Sequence, residues 1–145
     1  MRLEKSFDVR CSREAATDLI GRDETLIHLF PDAQTEILES RGDRKTVCSH
    51  YRALGREGTA TFHFDFLLDG DVRFEKVCDG NVWRELRGRL SFEERGPGTR
   101  VRIEMEGRTK SLVPEFTIKG PMKEQLESMA RALRARLEDA GDAPG

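Results

Sequence analysis

The chain has 145 residues, with 25 basic and 27 acidic side chains and a net charge of -2. That is the length of one domain, and a chain of this size buries roughly 70% of its unfolded surface, enough for a core without a disulfide or structural metal. Charges of both signs are interspersed, which excludes a general electrostatic bias toward nucleic acid or an anionic membrane. No run reaches the roughly 18 apolar residues of a membrane span, and the opening MRLEKSFDV has no signal-peptide hydrophobic stretch. Cys11, Cys48 and Cys78 are odd in number and lack metal-ligand spacing. The expectation is a cytoplasmic protein, one domain over residues 1–138, with a flexible tail over 139–145.

In chain order, Leu3, Phe7, Val9 and Cys11 alternate with polar residues and predict a strand over 3–11. Ser12 is a good N-cap for a short helix, REAATDLI, that ends at Gly21. Asp23 can cap a second short helix, ETLIHLF, stopped by Pro31. From residue 34 to 109 the period is two, with turn signals at RGD, GREG, DGD, DGN and RGPG that divide the stretch into six strands. After Pro114, and again after Gly120-Pro121, the period becomes helical: Met122, Leu126, Met129, Leu133 and Leu137 lie on one stripe.

Charge tests the strand registers. A hairpin turning at RGPG sets Arg89 opposite Glu104, Arg87 opposite Glu106, Glu85 opposite Arg108 and Glu93 opposite Arg100, all of opposite sign. The same register places Leu90 against Ile103 and Phe92 against Val101 on the inner face. Working backwards, a DGN loop pairs Phe74 with Leu86 and Lys76 with Arg84. A DGD loop pairs Phe66 with Phe74 and Leu68 with Val72. A GREG loop pairs Tyr51 with Phe62 and Ser49 with Phe64, and RGD pairs Ile37 with Val47. The product is an antiparallel meander with one apolar face, on which a single amphipathic helix can lie.

With this element order, and with SREAATDLI, LFPDAQTEI, WRELRGRLSFEERGPGTRV and VPEFTIKGPMKEQLESMARALRARLE at their places in it, the chain resembles the START-like superfamily, also called SRPBCC or helix-grip. The likeness covers nearly the whole chain. It implies an α+β fold: a seven-stranded curved antiparallel sheet wrapped around a long C-terminal helix, with two short helices after the first strand. It also implies an apolar cavity between sheet and helix that takes lipids, quinones, polyketides or hormones, although fold alone does not settle function.

The inner face carries Tyr51, Phe62, Phe64, Phe66, Phe74 and Phe92, with Leu126 and Met129 opposite on the helix. Such a set is either packed core or the wall of a ligand space. Lys76 and Arg84 are the oddity, two cations facing each other on the apolar side. Either the hairpin end lets both snorkel to water, or they meet the anionic end of a ligand, with Ser49 and Tyr51 adding hydrogen bonds. The expected ligand site is therefore Tyr51, Phe62, Phe64, Phe66, Phe74, Lys76, Arg84, Leu126 and Met129, holding a small apolar or amphipathic molecule. As an alternative, relatives that are cyclases imply an enzyme on the same cavity, with Arg84, Lys76, Tyr51 and Ser49 orienting a polyketide and moving protons. No residue pattern assigns catalytic groups.

On the outer face the same registers pair His50 with His63 and Cys48 with Asp65, with Val77 and Trp83 in the row of the histidines. Imidazole, thiolate and carboxylate are plausible zinc or copper ligands, but the row is read as ordinary surface, with no metal and a possible protein partner at the Trp83 face. Arg131, Arg134 and Arg136 stand beside Glu127, Glu138 and Asp139 on the last helix, a solvated face and not a nucleic-acid stripe. No glycine-rich phosphate loop, nucleophile elbow or metal motif is present, and no cofactor is expected.

Overall fold

Seven strands and three helices follow one another in the computed structural model, which describes residues 1–53, 56–80 and 82–142. The order is β1 (Arg2–Val9), α1 (Arg13–Ile20), α2 (Asp23–Ile27), β2 (Gln34–Arg41), β3 (Arg44–Ala53), β4 (Arg56–Phe66), β5 (Val72–Lys76), β6 (Trp83–Arg95), β7 (Gly98–Thr109) and α3 (Glu115–Asp142). All strands join one antiparallel sheet in the order β1-β7-β6-β5-β4-β3-β2. β1 closes onto β7 across most of the chain length, pairing Phe7 with Val101 and Leu3 with Met105. α3 lies along the β1–β7 side of the concave face, while α1 and α2 cover the sheet nearer β6 and β2.

Local chemistry explains the ends of the elements. Ser12 accepts a hydrogen bond from the Ala15 amide and caps α1, and the Gly21 amide returns to the Asp18 carbonyl. α2 starts one residue earlier than its sequence signals suggest: Asp23 is its first helical residue, Arg22 is the N-cap, and no side chain caps the helix. Asp23 instead accepts from Lys45 Nζ at 2.7 Å. α3 is a single helix that contains Pro121. Proline removes one intrahelical bond there, but the site is exposed and precedes the first fully buried turn at Leu126. Because α3 continues to Asp142, part of the stretch read as a tail is helical; residues 143–145 lie outside the described residues.

The RGPG hairpin has the expected register at every pair from Glu85–Arg108 to Glu93–Arg100, with Leu90 on Ile103 and Phe92 on Val101. Ile37 pairs with Val47, and a bulge then intervenes before Glu39. The other hairpins keep the expected faces with different partners. Phe64, not Phe66, opposes Phe74, and Phe66 opposes Val72. Phe74 opposes Gly88 in place of Leu86. Phe62 opposes Val47 in place of Tyr51, and Phe64 opposes Lys45 in place of Ser49. Ala53 pairs with Arg56, so residues 56–58 of the expected GREG turn belong to β4; residues 54–55 lie outside the described residues, as does residue 81 of the DGN signal. Each slip is by an even number of residues, because burial of one face penalises odd slips and leaves even ones to the loops.

One odd slip does occur. Trp83 pairs with Thr109 while Glu85 pairs with Arg108, so Arg84 is an extra residue in a β-bulge. Before the bulge the faces exchange: Trp83 turns inward and is 8% exposed, and Arg84 points to solvent. The expected opposition of Lys76 and Arg84 is thereby removed, and Lys76 opposes Phe62. Two like charges on the apolar side would be unfavourable; the bulge replaces one of them with an indole.

The convex face is laced with cross-strand ion pairs. Arg44 holds Asp65 through two bonds, at 2.7 and 3.0 Å, and this guanidinium lowers the Asp65 carboxyl below its ordinary range. A carboxylate with a lowered folded pKa stabilises the fold above its unfolded pKa of about 3.9, and that contribution is lost as pH falls through the folded value. Asp65→Asn should therefore lower stability by up to about 1 kcal/mol at neutral pH. In urea titrations the gap to the unmodified protein should close as pH drops below about 4.

Candidate functional site

Between the concave face and α3 lies a cavity of about 380 Å³. Its apolar wall is Phe30 from the segment after α2, Phe62 from β4, Phe74 from β5, Trp83 and Leu86 from β6, Met105 from β7, and Met122 and Met129 from α3. The aromatic side is continuous: Phe30 stacks on Phe62 at 5.9 Å, and Phe62 meets the edge of Phe74 at 6.4 Å. Two glycines make room for it. A β-carbon at Gly88 would stand 2.1 Å from Phe74 Cζ and 2.4 Å from the Glu104 carbonyl, and one at Gly107 would stand 2.6 Å from Trp83 Cζ3. Glycine within a strand thus marks a ring lying flat on the sheet.

Polar groups border the same space: Ser49, Tyr51, Arg52, Lys76, Gln125, Ser128 and Asp32. Ser49 is buried, its hydroxyl 2.8 Å from that of Thr35. Tyr51 is 41% exposed and lies over Gly58 at the rim. Arg52 reaches Glu57 at 3.8 Å. Half-buried Lys76 donates to the Val77 carbonyl at 3.3 Å and has no carboxylate partner among the described residues.

Of the residues expected at the site, Tyr51, Phe62, Phe74, Lys76 and Met129 line the cavity together. Phe64 and Leu126 are buried behind it as core, at 0% and 2% exposure. Phe66 packs toward the opposite end of β4, where Lys45 Nζ lies 5.7 Å above its ring and bonds the Gly21 carbonyl. Arg84 is outside, for the reason of the bulge. Trp83, expected on the outer face as the centre of a protein-binding patch, is a wall residue, so no such patch forms around it. Among the residues not foreseen, Leu86 and Met105 had the inward parity and Met122 the helical stripe; Phe30 had no periodic signal.

The outer row is also rearranged. His50 opposes Thr59 and Cys48 opposes Thr61. His63 Nδ1 instead contacts the Thr46 hydroxyl at 2.8 Å, and Asp65 is held by Arg44. The group that does converge is Glu36, Cys48 and His50, whose ligand atoms all lie within 4.8 Å of one another. No helix among the described residues is long and apolar enough to cross a membrane.

No protein-family model matches the sequence, nor does any curated protein. Solved structures do match. A protein from Thermus thermophilus superposes with a TM-score of 0.81 at 18% identity, over 97% of this chain and 99% of its own. A START superfamily protein from Mycobacterium smegmatis gives 0.77 at 21% identity, over 96% and 98%. The Zhui aromatase/cyclase from Streptomyces sp. R1128 gives 0.78 at 12% identity, over 98% and 93%. Likeness at these identities and near-complete coverage is likeness of fold, and it agrees with the strand order, the two short helices and the long closing helix: the chain has the START-like, helix-grip fold.

Proposed function

We propose that the protein binds a small, largely apolar ligand, of lipid, quinone or polyketide type, between the sheet and α3. The observation that carries this reading is the cavity of about 380 Å³ with an aromatic and methionine wall and a few polar groups at its border. Ligand sites have this composition and begin at about 300 Å³. Lys76 supplies a charge-assisted bond to a carboxylate, phenolate or phosphate on the ligand. Ser49, Tyr51, Gln125 and Ser128 offer hydrogen bonds around it.

Native mass spectrometry of the protein from its own host, followed by extraction, identifies what it carries. A panel pairing a fatty acid with its methyl ester then tests Lys76. A hydrogen bond to a charged group contributes about 1.5–3 kcal/mol, so Lys76→Met should weaken the acid by roughly 10- to 100-fold and leave the ester nearly unchanged. Equal effects on both would remove Lys76 from the site. No shift in melting temperature with any apolar ligand, together with a clean apo mass, would sink the reading. The same cavity serves the alternative of a cyclase-type enzyme, which is dropped if Tyr51→Phe and Lys76→Met leave turnover of a bound polyketide unchanged.

A further inference from the structure

We propose that Glu36, Cys48 and His50 form a binding site for a zinc-class divalent transition metal on the outer face of the β2–β3 hairpin, separate from the cavity. The three side chains come from adjacent positions of a hydrogen-bonded ladder. Glu36 is the direct cross-strand partner of Cys48, and His50 stands two residues further along the same face of β3. Their positions are therefore held by backbone pairing and do not depend on a loop. His50 Nε2 lies 3.3 Å from Glu36 Oε1 and 4.0 Å from Cys48 Sγ.

One of those separations already has the spacing of a tetrahedral site, and all three ligand atoms lie within 4.8 Å of one another. With metal–nitrogen and metal–oxygen bonds of about 2.0 Å and metal–sulfur of about 2.3 Å, tetrahedral ligands stand about 3.3 Å apart for N and O and about 3.5 Å for S and N. The His50–Glu36 pair already has this spacing, and Cys48 Sγ closes on His50 by a small side-chain rotation. A thiolate, an imidazole and a carboxylate together select zinc, cobalt or nickel over magnesium or calcium, which prefer oxygen alone. Glu36 has no lysine or arginine partner among the described residues, only His50, so the ion meets no competing fixed cation.

Burial divides the three roles. Cys48 is 8% exposed and forms the floor of the site, while Glu36 and His50 are exposed and form its rim. Three protein ligands leave a fourth position open to water or to a donor from outside. His50 also forms part of the wall of a surface groove that includes Pro31, Asp32, Ala33, Tyr51 and Arg52, all shared with the border of the cavity. On the opposite face of the same strand, Ser49 and Tyr51 look into that cavity. A metal here pins edge strand β2 to the strand that carries them.

The test uses the full untagged chain, kept reduced, titrated with Co²⁺ and then with Zn²⁺. The expected result is one equivalent of Co²⁺ bound, with a thiolate-to-cobalt charge-transfer band and the strong visible absorption of tetrahedral Co²⁺, both removed by Zn²⁺. Cys48→Ala should abolish the charge-transfer band, and Cys78→Ala should leave it unchanged. His50→Gln and Glu36→Gln replace exposed side chains and keep the fold. Each should weaken binding by more than about tenfold, the scale on which even outer partners of metal ligands act. The proposal is overturned if the native chain gives no charge-transfer band, if the band follows Cys78, or if His50→Gln binds Co²⁺ as tightly as the native chain.

Discussion

Phe64→Ala is expected to lower the free energy of unfolding by about 3–5 kcal/mol, and Phe62→Ala, two residues away on the same face, by clearly less. Phe64 is 0% exposed, lies 5.9 Å from Phe74 and 6.4 Å from Phe62, and does not border the cavity. Truncating it opens a void inside a packed region, where both the transfer of the ring and the lost contacts count. Phe62 stacks on Phe30 but already faces open space on one side. Its removal enlarges an existing cavity, so fewer contacts are lost. Urea titrations with unchanged slope measure the difference. Ligand affinity should respond in the opposite order, with Phe62→Ala the more damaging. Equal stability losses at the two positions would mean that the space beside Phe62 is filled in solution and that the aromatic row is core throughout.

The second large effect separates two neighbours in sequence. Trp83→Ala should cost about 3 kcal/mol, the lower end for a buried tryptophan because one side of the ring borders the cavity, whereas Arg84→Ala should stay within about 0.5 kcal/mol. The bulge at Arg84 is the cause, and Gly107 supplies the bare backbone on which the indole rests. Trp83 is the only tryptophan of the chain, so its fluorescence reports the same question directly. Emission of a buried indole that changes when an apolar ligand enters is the expected outcome. Solvent-like emission, with a negligible stability loss for Trp83→Ala, would place the ring on the convex face and remove it from the cavity wall.

These pairs show how much of the site the sequence carried. Alternation assigned Phe62, Phe74, Lys76 and Tyr51 to the concave face, and they line the cavity there. It assigned Phe64 and Phe66 to the same face with equal force, yet both stand away from the open space. Which stretch of a strand faces a void depends on where α3 and the segment holding Phe30 lie along it, and no periodicity encodes that. The histidine row failed differently. The expected partner of His50 was four residues away from the real one, so His63 and Asp65 left the cluster and Glu36, on the other neighbouring strand, entered it.

By itself, the sequence determined the order of elements, the cap at Ser12, the buried stripe of α3, the inner and outer parity of nearly every strand, and the charge-matched register of the RGPG hairpin. A period of two and a period of 3.6 are local properties, and opposite charges on two adjoining strands are legible as pairs. Only the tertiary structure decided the even shifts of the remaining hairpins, the bulge that exchanges Trp83 with Arg84, and the place where the sheet and α3 stand apart. Burial of one face distinguishes odd from even registers but is indifferent among even ones, and the extra residue at Arg84 turns Trp83 inward, where Gly107 leaves the space for its ring.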